Sequence, residues 1–181
     1  RENFQRNKII EGIKGAKEND WIIISDVDEI PNLDKINLKK TNNSLVFFKQ
    51  DQMYYKFNLK LENHVWVGSK ACKKKDLHSP QWIRNIKDRN YKWWRLDTLF
   101  SNKKYQNILF VENGGWHFSY LKNSEGIEKK LKSYLHHIDY DINPLGAEKI
   151  NEMIINKKPI YNLQVDQRAN KFDGKGKLHK I

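Results

Sequence analysis

The chain has 181 residues, of which 38% are hydrophobic and 12% aromatic, so its composition favours a folded domain over a disordered chain. Its one cysteine, Cys72, excludes a disulfide scaffold and a zinc site built from several cysteines. No apolar run approaches the ~18 residues that a membrane-spanning helix needs.

The charge balance is strongly basic, with 34 Lys and Arg against 22 Asp and Glu, for a net charge of +12. Such a field attracts polyanions: nucleic acid, a membrane surface or a phosphorylated small substrate. Lys, Asn and Ile are frequent along the whole chain, so most of the lysines also fit an ordinary solvated surface. The charge alone does not choose among these readings.

The predicted elements run from a helix through a buried strand to mixed strands and late helices. Apolar spacing predicts an amphipathic helix over residues 1–18, and the continuous run Trp21–Ile24 is typical of a strand buried on both faces. Strands are predicted at 45–48, 52–59, 65–67, 107–111 and 115–120, a basic loop at 70–75, a short helix or irregular segment at 79–90, helices at 124–137 and 144–156, and an exposed tail over 166–181. This order predicts an α/β layer protein.

The most informative motif is the acidic segment Ser-Asp-Val-Asp-Glu-Ile-Pro at residues 25–31, directly after the buried strand. In an open α/β sheet, ligands bind at the carboxyl ends of strands. Asp26 and Asp28 alternate along an extended segment, so both can face one point. A Mg²⁺ or Mn²⁺ ion with substrate phosphates would neutralise that pair. The alternative is an ordinary acidic turn in which Asp26 caps backbone amides.

A second motif, Asn-Gly-Gly-Trp-His-Phe-Ser-Tyr, covers residues 113–120. Its paired glycines allow tight backbone geometry or close approach of a ligand. His117 alternates with Trp116 and Phe118 along a predicted strand, so those two share the opposite face. His117 fits a metal ligand or a phosphate donor, and it equally fits a hydrogen-bonded core residue.

Five tryptophans and many tyrosines offer stacking surfaces for sugars, although packing in the core explains most of them; these tryptophans are Trp66, Trp82, Trp93, Trp94 and Trp116. The segment Trp93-Trp94-Arg95 is the exception that we expect to lie outside the core, because neighbours on one element cannot easily both face inward.

Taken in order, three segments resemble glycosyltransferase family 17, the group of the bisecting N-acetylglucosaminyltransferase. They are the Arg-Glu-Asn start with Arg6-Asn7, residues 23–31, which contain the acidic segment, and Gly-Gly-Trp-His-Phe-Ser-Tyr-Leu at 114–121. The run 130–136 adds a weaker similarity. The last two motifs in this order and spacing are specific, whereas either alone would not be.

The resemblance implies a GT-A-like fold with a mixed central sheet, a UDP-sugar donor (UDP-N-acetylglucosamine in animal members) and inverting transfer to a glycan acceptor. It implies that Asp26 and Asp28 hold Mn²⁺ or Mg²⁺ on the donor diphosphate, and that His117 completes the metal shell, with His136 as its competitor. Because a long stretch precedes the Arg-Glu-Asn helix in the family, we expect residues 1–165 to be the C-terminal two-thirds of the catalytic domain, with a fold incomplete at its N-terminus.

By the same resemblance, Arg1 and Arg6 would contact the donor together with Asp26. For the reaction itself, we expect Lys70, Lys73 and Arg95 to add positive charge beside the diphosphate. An inverting reaction needs a carboxylate base. Its candidates are Asp97, Glu112, Glu29 and Glu125, of which Asp97 and Glu112 flank predicted strands near the site.

Two other classes of function stay open at the level of sequence. A metal-dependent phosphoesterase or nucleotidyltransferase would also use Asp26 and Asp28, whereas a nucleic-acid-binding module would use basic loops and aromatic platforms and would leave the acidic segment without a role. We expect a cytoplasmic enzyme of the kind found in bacterial or viral relatives, or a Golgi enzyme if an N-terminal anchor precedes this sequence.

Overall fold

The computed structural model describes residues 2–133, 137–160 and 176–181. The chain divides into two compact units. Unit 1 comprises residues 1–50 and 65–117, and unit 2 comprises residues 51–64 and 118–181.

The described strands form one seven-stranded mixed sheet, which confirms the predicted α/β class. The strands are β1 (Trp21–Ile24), β2 (Glu29–Pro31), β3 (Leu45–Tyr54), β4 (Leu59–Lys73), β5 (Ile108–Val111), β6 (Gly115–Ser119) and β7 (Leu178–Lys180). Their order is β1-β4-β3-β6-β2, with β5 also paired to β3 and β7 to β4. The pairs β1–β4, β2–β6 and β4–β7 are antiparallel, and β3–β5 is parallel.

Short helices complete the described fold. The α-helices are α1 (Glu2–Lys8), α2 (Pro80–Asn85), α3 (Ser124–Ser133), α4 (His137–Ile142) and α5 (Gly146–Ile155). Single 3-10 turns lie at Ile9–Ile13, Leu33–Lys35, Leu38–Lys40, Lys74–Asp76 and Leu96–Thr98. Among the described residues, none of these helices has the length and apolar character required to cross a bilayer.

Unit 1 packs apolar side chains on both faces of β1, as the run Trp21–Ile24 predicts. Ile22 and Ile24 are buried in one cluster with Phe47 and Ile83, while Trp21 and Ile23 pack against a second cluster around Val46, Phe48, Ala71 and Val111. The two clusters clamp the strand from both sides, and the acidic segment leaves the sheet at its carboxyl end.

Unit 2 has its own core, built mainly from helices. Ile127 and Leu131 of α3 and Ile150 of α5 are fully buried with Tyr54 and Tyr140. The apolar residues of α3 and α5 recur at helical spacing, which confirms that both predicted late helices exist. The helix α5 is shorter than predicted, and α3 is described as far as Ser133, since residues 134–136 lie outside the described residues.

The predicted helix over residues 1–18 is wrong in length. The α-helix ends at Lys8 and continues only as a 3-10 turn over Ile9–Ile13. Gly12 and Gly15 disfavour a longer helix. Phe4, Ile9 and Ile10 remain exposed, whereas Ile13 is partly buried against the core of unit 1.

The predicted basic loop at 70–75 and the short strands around it are also corrected. Residues 70–73 belong to β4, where Lys70 lies opposite Ile24 and Lys73 opposite Trp21. The predicted strand at 65–67 lies inside β4, and the predicted strands at 45–48 and 52–59 form β3, which ends at Tyr54 before a turn. Ala71 and Cys72 are fully buried and join the strand, which outweighs the loop character of the flanking lysines.

The predicted exposed tail over 166–181 departs from the structure at its end. Residues 166–175 lie outside the described residues. Leu178–Lys180 form β7 against Leu59–Leu61 of β4, and Leu178 is buried in the core of unit 2. Apolar Leu178 and the open edge of β4 explain the ordering of this segment.

Candidate active site

The acidic segment forms a tight turn between β1 and β2. The Glu29 amide donates to the Asp26 carbonyl at 3.0 Å, and the Glu29 carboxylate accepts from the Asp26 amide at 3.0 Å. The predicted alternative, in which Asp26 caps amides, is therefore reversed: Glu29 does the capping, which leaves the Asp26 side chain available for other partners.

Two arginines neutralise Asp26. Arg84 Nη2 lies 2.7 Å from Asp26 Oδ2, and Arg6 Nη2 lies 3.4 Å from Asp26 Oδ1. Arg6 also donates to Gln81 at 2.6 Å, which ties α1 to α2. The Asp26 charge is thus balanced within the protein, without a metal ion.

Glu29 is the buried centre of this ion-pair cluster. Its side chain is 1% exposed, and Arg84 Nη1 lies 3.1 Å from Glu29 Oε2. Trp66 Nε1 donates to Glu29 Oε1 at 2.8 Å, and Arg84 also donates to the Gly68 carbonyl. A buried carboxylate needs these partners, because an unpaired charge in the interior is strongly destabilising.

Gly68 makes room for this arrangement. A Cβ atom at this position would overlap the Glu29 carboxylate and the Trp66 indole nitrogen. The strand β4 therefore needs a residue without a side chain where the carboxylate crosses it.

Asp28 points to a different partner, His117. The two atoms Asp28 Oδ2 and His117 Nε2 are 3.6 Å apart. His117 lies opposite Glu29 in the β2–β6 pair, and Trp66 stacks on its ring at a centroid distance of 4.4 Å and an interplanar angle of 18°. The imidazole is buried, and its Nδ1 has no hydrogen-bond partner within the described part of the chain.

The register that places His117 there depends on Gly115. This glycine has φ +126°, and a Cβ would overlap the Ile30 carbonyl on β2. Trp116 is exposed and His117 is buried, which confirms the predicted alternation along β6. Of the two predicted roles of the glycine pair, tight backbone geometry is confirmed at Gly115.

The predicted metal set of Asp26, Asp28 and His117 does not come together as three ligands. Among residues 2–133, 137–160 and 176–181, no group of three His, Cys, Asp or Glu side chains could hold a metal ion. The physical reason is that Arg84 and Arg6 occupy Asp26. Asp28 and His117 remain as one oxygen and one nitrogen donor, and this pair fits a divalent cation that takes its other ligands from phosphate oxygens and water.

Two of the predicted donor-binding residues have other roles. Lys70 is buried, donates to the Ile86 carbonyl at 2.7 Å and pairs with Asp88 at 2.6 Å, so it does not offer its charge to a diphosphate. Arg95 is exposed and pairs with Asp97 at 2.7 Å. Arg1 lies outside the described residues.

The predicted catalytic carboxylates differ in their surroundings. Glu29 is buried under Arg84 and Trp66. The hydrogen bond from Arg95, with a second from Lys104, holds the pKa of Asp97 well below its usual range. Glu112 is exposed and pairs with Lys49, and Glu125 is exposed at the start of α3. His136 lies outside the described residues.

Sequence reasoning missed Arg84, the residue that joins Asp26 to Glu29. It lies on α2, a six-residue helix that Ser79 caps by accepting from the Trp82 amide at 3.0 Å. A Ser-Pro start before an isolated helical turn was the available signal. Nothing in the local sequence indicates that its arginine reaches an acidic segment 58 positions away.

A comparison with protein families identifies the class. The model for glycosyltransferase family 17 matches residues 1–169. The chain belongs to glycosyltransferase family 17. It is therefore a transferase that uses sugar donor and acceptor substrates, and its mixed sheet is consistent with a GT-A-like fold. No curated protein and no solved structure gives a significant match.

Proposed function

We propose that this glycosyltransferase moves N-acetylglucosamine from a UDP donor onto a glycan hydroxyl, with inversion at the anomeric carbon and with Mn²⁺ or Mg²⁺ as cofactor. The observation that carries the metal-dependent part is the Asp28–His117 pair, 3.6 Å apart where the acidic segment enters β2 beside β6. The donor sugar and the inversion rest on the family resemblance of the acidic and Gly-Gly-Trp-His segments.

The two aspartates of the acidic segment divide the work in this proposal. Asp28 and His117 would hold the cation, which, when bound, supplies charge to offset the negative charge on the leaving diphosphate. Asp26 is instead a positioning residue, because its contacts with Arg84 and Arg6 fix the turn that presents Asp28. Trp66 fixes the plane of the His117 ring by stacking on it.

Glu112 is the carboxylate that we favour as the base for the acceptor hydroxyl. Both carboxylate oxygens of Glu29 already accept hydrogen bonds, from Arg84, Trp66 and the Asp26 amide. Glu29 could therefore take a proton only if this cluster were broken. Asp97 is a weak base, since Arg95 lowers its pKa. Glu112 and Glu125 both have the exposed side chain that a base for an incoming hydroxyl needs, but only Glu112 belongs to unit 1, which also holds Asp28 and His117.

The decisive experiment measures UDP binding with and without Mn²⁺ by calorimetry, followed by product analysis with UDP-N-acetylglucosamine and a glycan panel. The unchanged protein should bind UDP only with Mn²⁺, and Asp28→Asn and His117→Ala should lose at least about ten-fold in that metal-dependent affinity. Asp34→Asn, the same change on an exposed turn, should bind as the unchanged protein does.

Three results would contradict the proposal in separable ways. Equal UDP binding by Asp28→Asn would remove the metal assignment. A product with retained anomeric configuration would remove the inverting step. Release of phosphate or nucleotide without an acceptor, at a rate equal to sugar transfer, would favour the phosphoesterase or nucleotidyltransferase alternative.

A further inference from the structure

A loop of unit 1 has no role in the site described above. Residues 90–105 form a closed loop whose two ends meet, since Asn90 and Tyr105 form a β-bridge and the Tyr91 amide donates to the Tyr105 carbonyl at 3.3 Å. Compact surface loops with joined ends are frequently functional. We call residues 90–105 the aromatic loop.

Polar bonds, rather than an apolar core, hold the aromatic loop in shape. Thr98, which is buried, donates through its hydroxyl to the Arg95 carbonyl at 2.7 Å and accepts from Gln106 at 2.8 Å. Successive backbone turns join Arg95 to Lys92 and Leu99 to Leu96 at 3.0 and 3.1 Å. The loop keeps its conformation without burying its large apolar side chains.

Those apolar side chains face solvent. The five in question lie within eight positions: Trp93 is 82% exposed, Phe100 is 92% exposed, and Trp94, Leu96 and Leu99 are more than half exposed. Scattered exposed apolar residues are normal, but a concentration of this kind marks an interaction surface.

Basic side chains surround the exposed aromatic rings. Lys92 Nζ lies 4.8 Å from the Trp94 ring centroid, and the charged groups of Arg95 and Lys104 each lie 5.8 Å from the Tyr91 ring centroid. Residues 87–105 hold six Lys and Arg but only two Asp. Both aspartates are engaged in ion pairs, Asp88 with Lys70 and Asp97 with Arg95 and Lys104.

We propose that the aromatic loop docks this enzyme on the surface of an anionic lipid bilayer. Tryptophan together with exposed leucine and phenylalanine, set among lysines and arginines, is the composition that inserts into the headgroup region of a membrane. The basic residues match the negative surface of anionic lipids. A sugar would stack on the two tryptophan rings, but it has no use for Leu96, Leu99 and Phe100, which makes lipid the better occupant.

Vesicle flotation tests the proposal on the unchanged full chain, with neither nucleotide nor metal present. We expect binding to phosphatidylcholine vesicles that contain about one third phosphatidylglycerol, much weaker binding to pure phosphatidylcholine, and release as salt is raised. The double variant Leu99→Ser/Phe100→Ser should lose about ten-fold or more in partitioning.

A matched double variant separates the loop from general surface stickiness. Ile142→Ser/Ile155→Ser also removes two exposed large apolar side chains, from unit 2, and should bind as the unchanged protein does. Thermal unfolding of both double variants checks that they fold. Because no donor or cation is used, failure here leaves the proposed sugar transfer untouched, and the reverse also holds.

Several results would overturn the membrane assignment. One is absence of binding to the anionic vesicles, and another is equal binding by the Leu99→Ser/Phe100→Ser variant. A third is that the unchanged protein self-associates but does not bind vesicles, and that the Leu99→Ser/Phe100→Ser variant no longer self-associates. That result would make a second copy of the chain the occupant of the aromatic loop.

Discussion

Unit 1 contains two clusters in which carboxylates meet two cations, and they differ in burial rather than in bond length. In the first cluster, Arg84 bridges Asp26 and Glu29 at 2.7 and 3.1 Å, and the Glu29 side chain is 1% exposed. In the second, Arg95 and Lys104 contact Asp97 at 2.7 and 2.6 Å, but the side chains are 34–50% exposed. The Glu29–Arg84 pair is shielded from water, whereas water reaches the second cluster and also the Asp26 side chain, which is 38% exposed, so short distances alone say little about energy.

The largest expected effect comes from removing one cation from each cluster. Arg84→Ala leaves Glu29 buried and uncompensated, so it should lower the free energy of unfolding by about 3–5 kcal/mol. Arg95→Ala, the matched change in the exposed cluster, should leave the urea unfolding curve unchanged within error. Equal destabilisation by the two variants would break the comparison.

A smaller effect should follow from crowding the buried cluster while its charges stay intact. Gly68→Ala would push a methyl group against Glu29 and Trp66, and we expect a loss of about 1–3 kcal/mol in urea unfolding. Gly12→Ala is the control, since a Cβ there meets nothing within 4 Å. If Gly68→Ala unfolds at the same urea concentration as the unchanged protein, the cluster is not tightly packed.

The smallest effect concerns Lys70, whose ion pair lies between the two extremes: Lys70 is buried, but Asp88 is 46% exposed. Burial lowers the pKa of Lys70, and the pair with Asp88 offsets only part of that shift. Between the lowered and the ordinary pKa, the unfolded chain binds a proton that the folded chain has released. The free energy of unfolding therefore rises with pH through that window.

Lys70→Met should abolish that rise, as measured by urea unfolding at a series of alkaline pH values. Lys75→Met, a change at an exposed lysine of the same basic stretch, should leave it in place. A rise that persists in Lys70→Met would assign it to other groups.

The sequence predicted those elements that are determined by the pattern of their own residues. The apolar run of β1, the helical spacing of α3 and α5 and the alternation around His117 each follow from the periodicity of the residues themselves. The family resemblance of the two motifs put Asp28 and His117 in one predicted metal shell; the structure places their side chains 3.6 Å apart, and the metal itself stays a prediction.

Contacts between residues that are far apart in the sequence could not be predicted from local patterns. Lys70 lies in a lysine-rich stretch that is typical of a loop. It is buried because β4 pairs with β1. Asp26 has the pattern of a metal ligand, but Arg84, from a separate helix, supplies its countercharge. In both cases a distant segment determines whether a charged side chain is buried, exposed or neutralised.

The pairing of β2 with β6 makes the site sensitive to an error in strand register, which differs in its effect from the replacement of any one side chain. β2 has only three residues, and a slip of one position would set Trp116 across from Glu29 and turn the imidazole to the opposite face. A Cβ atom at position 115 would overlap the Ile30 carbonyl, so a glycine is required there. This requirement fixes the register in which β6 pairs with β2. Enzymatic competence would then depend on correct strand pairing during folding as much as on which groups the chain carries.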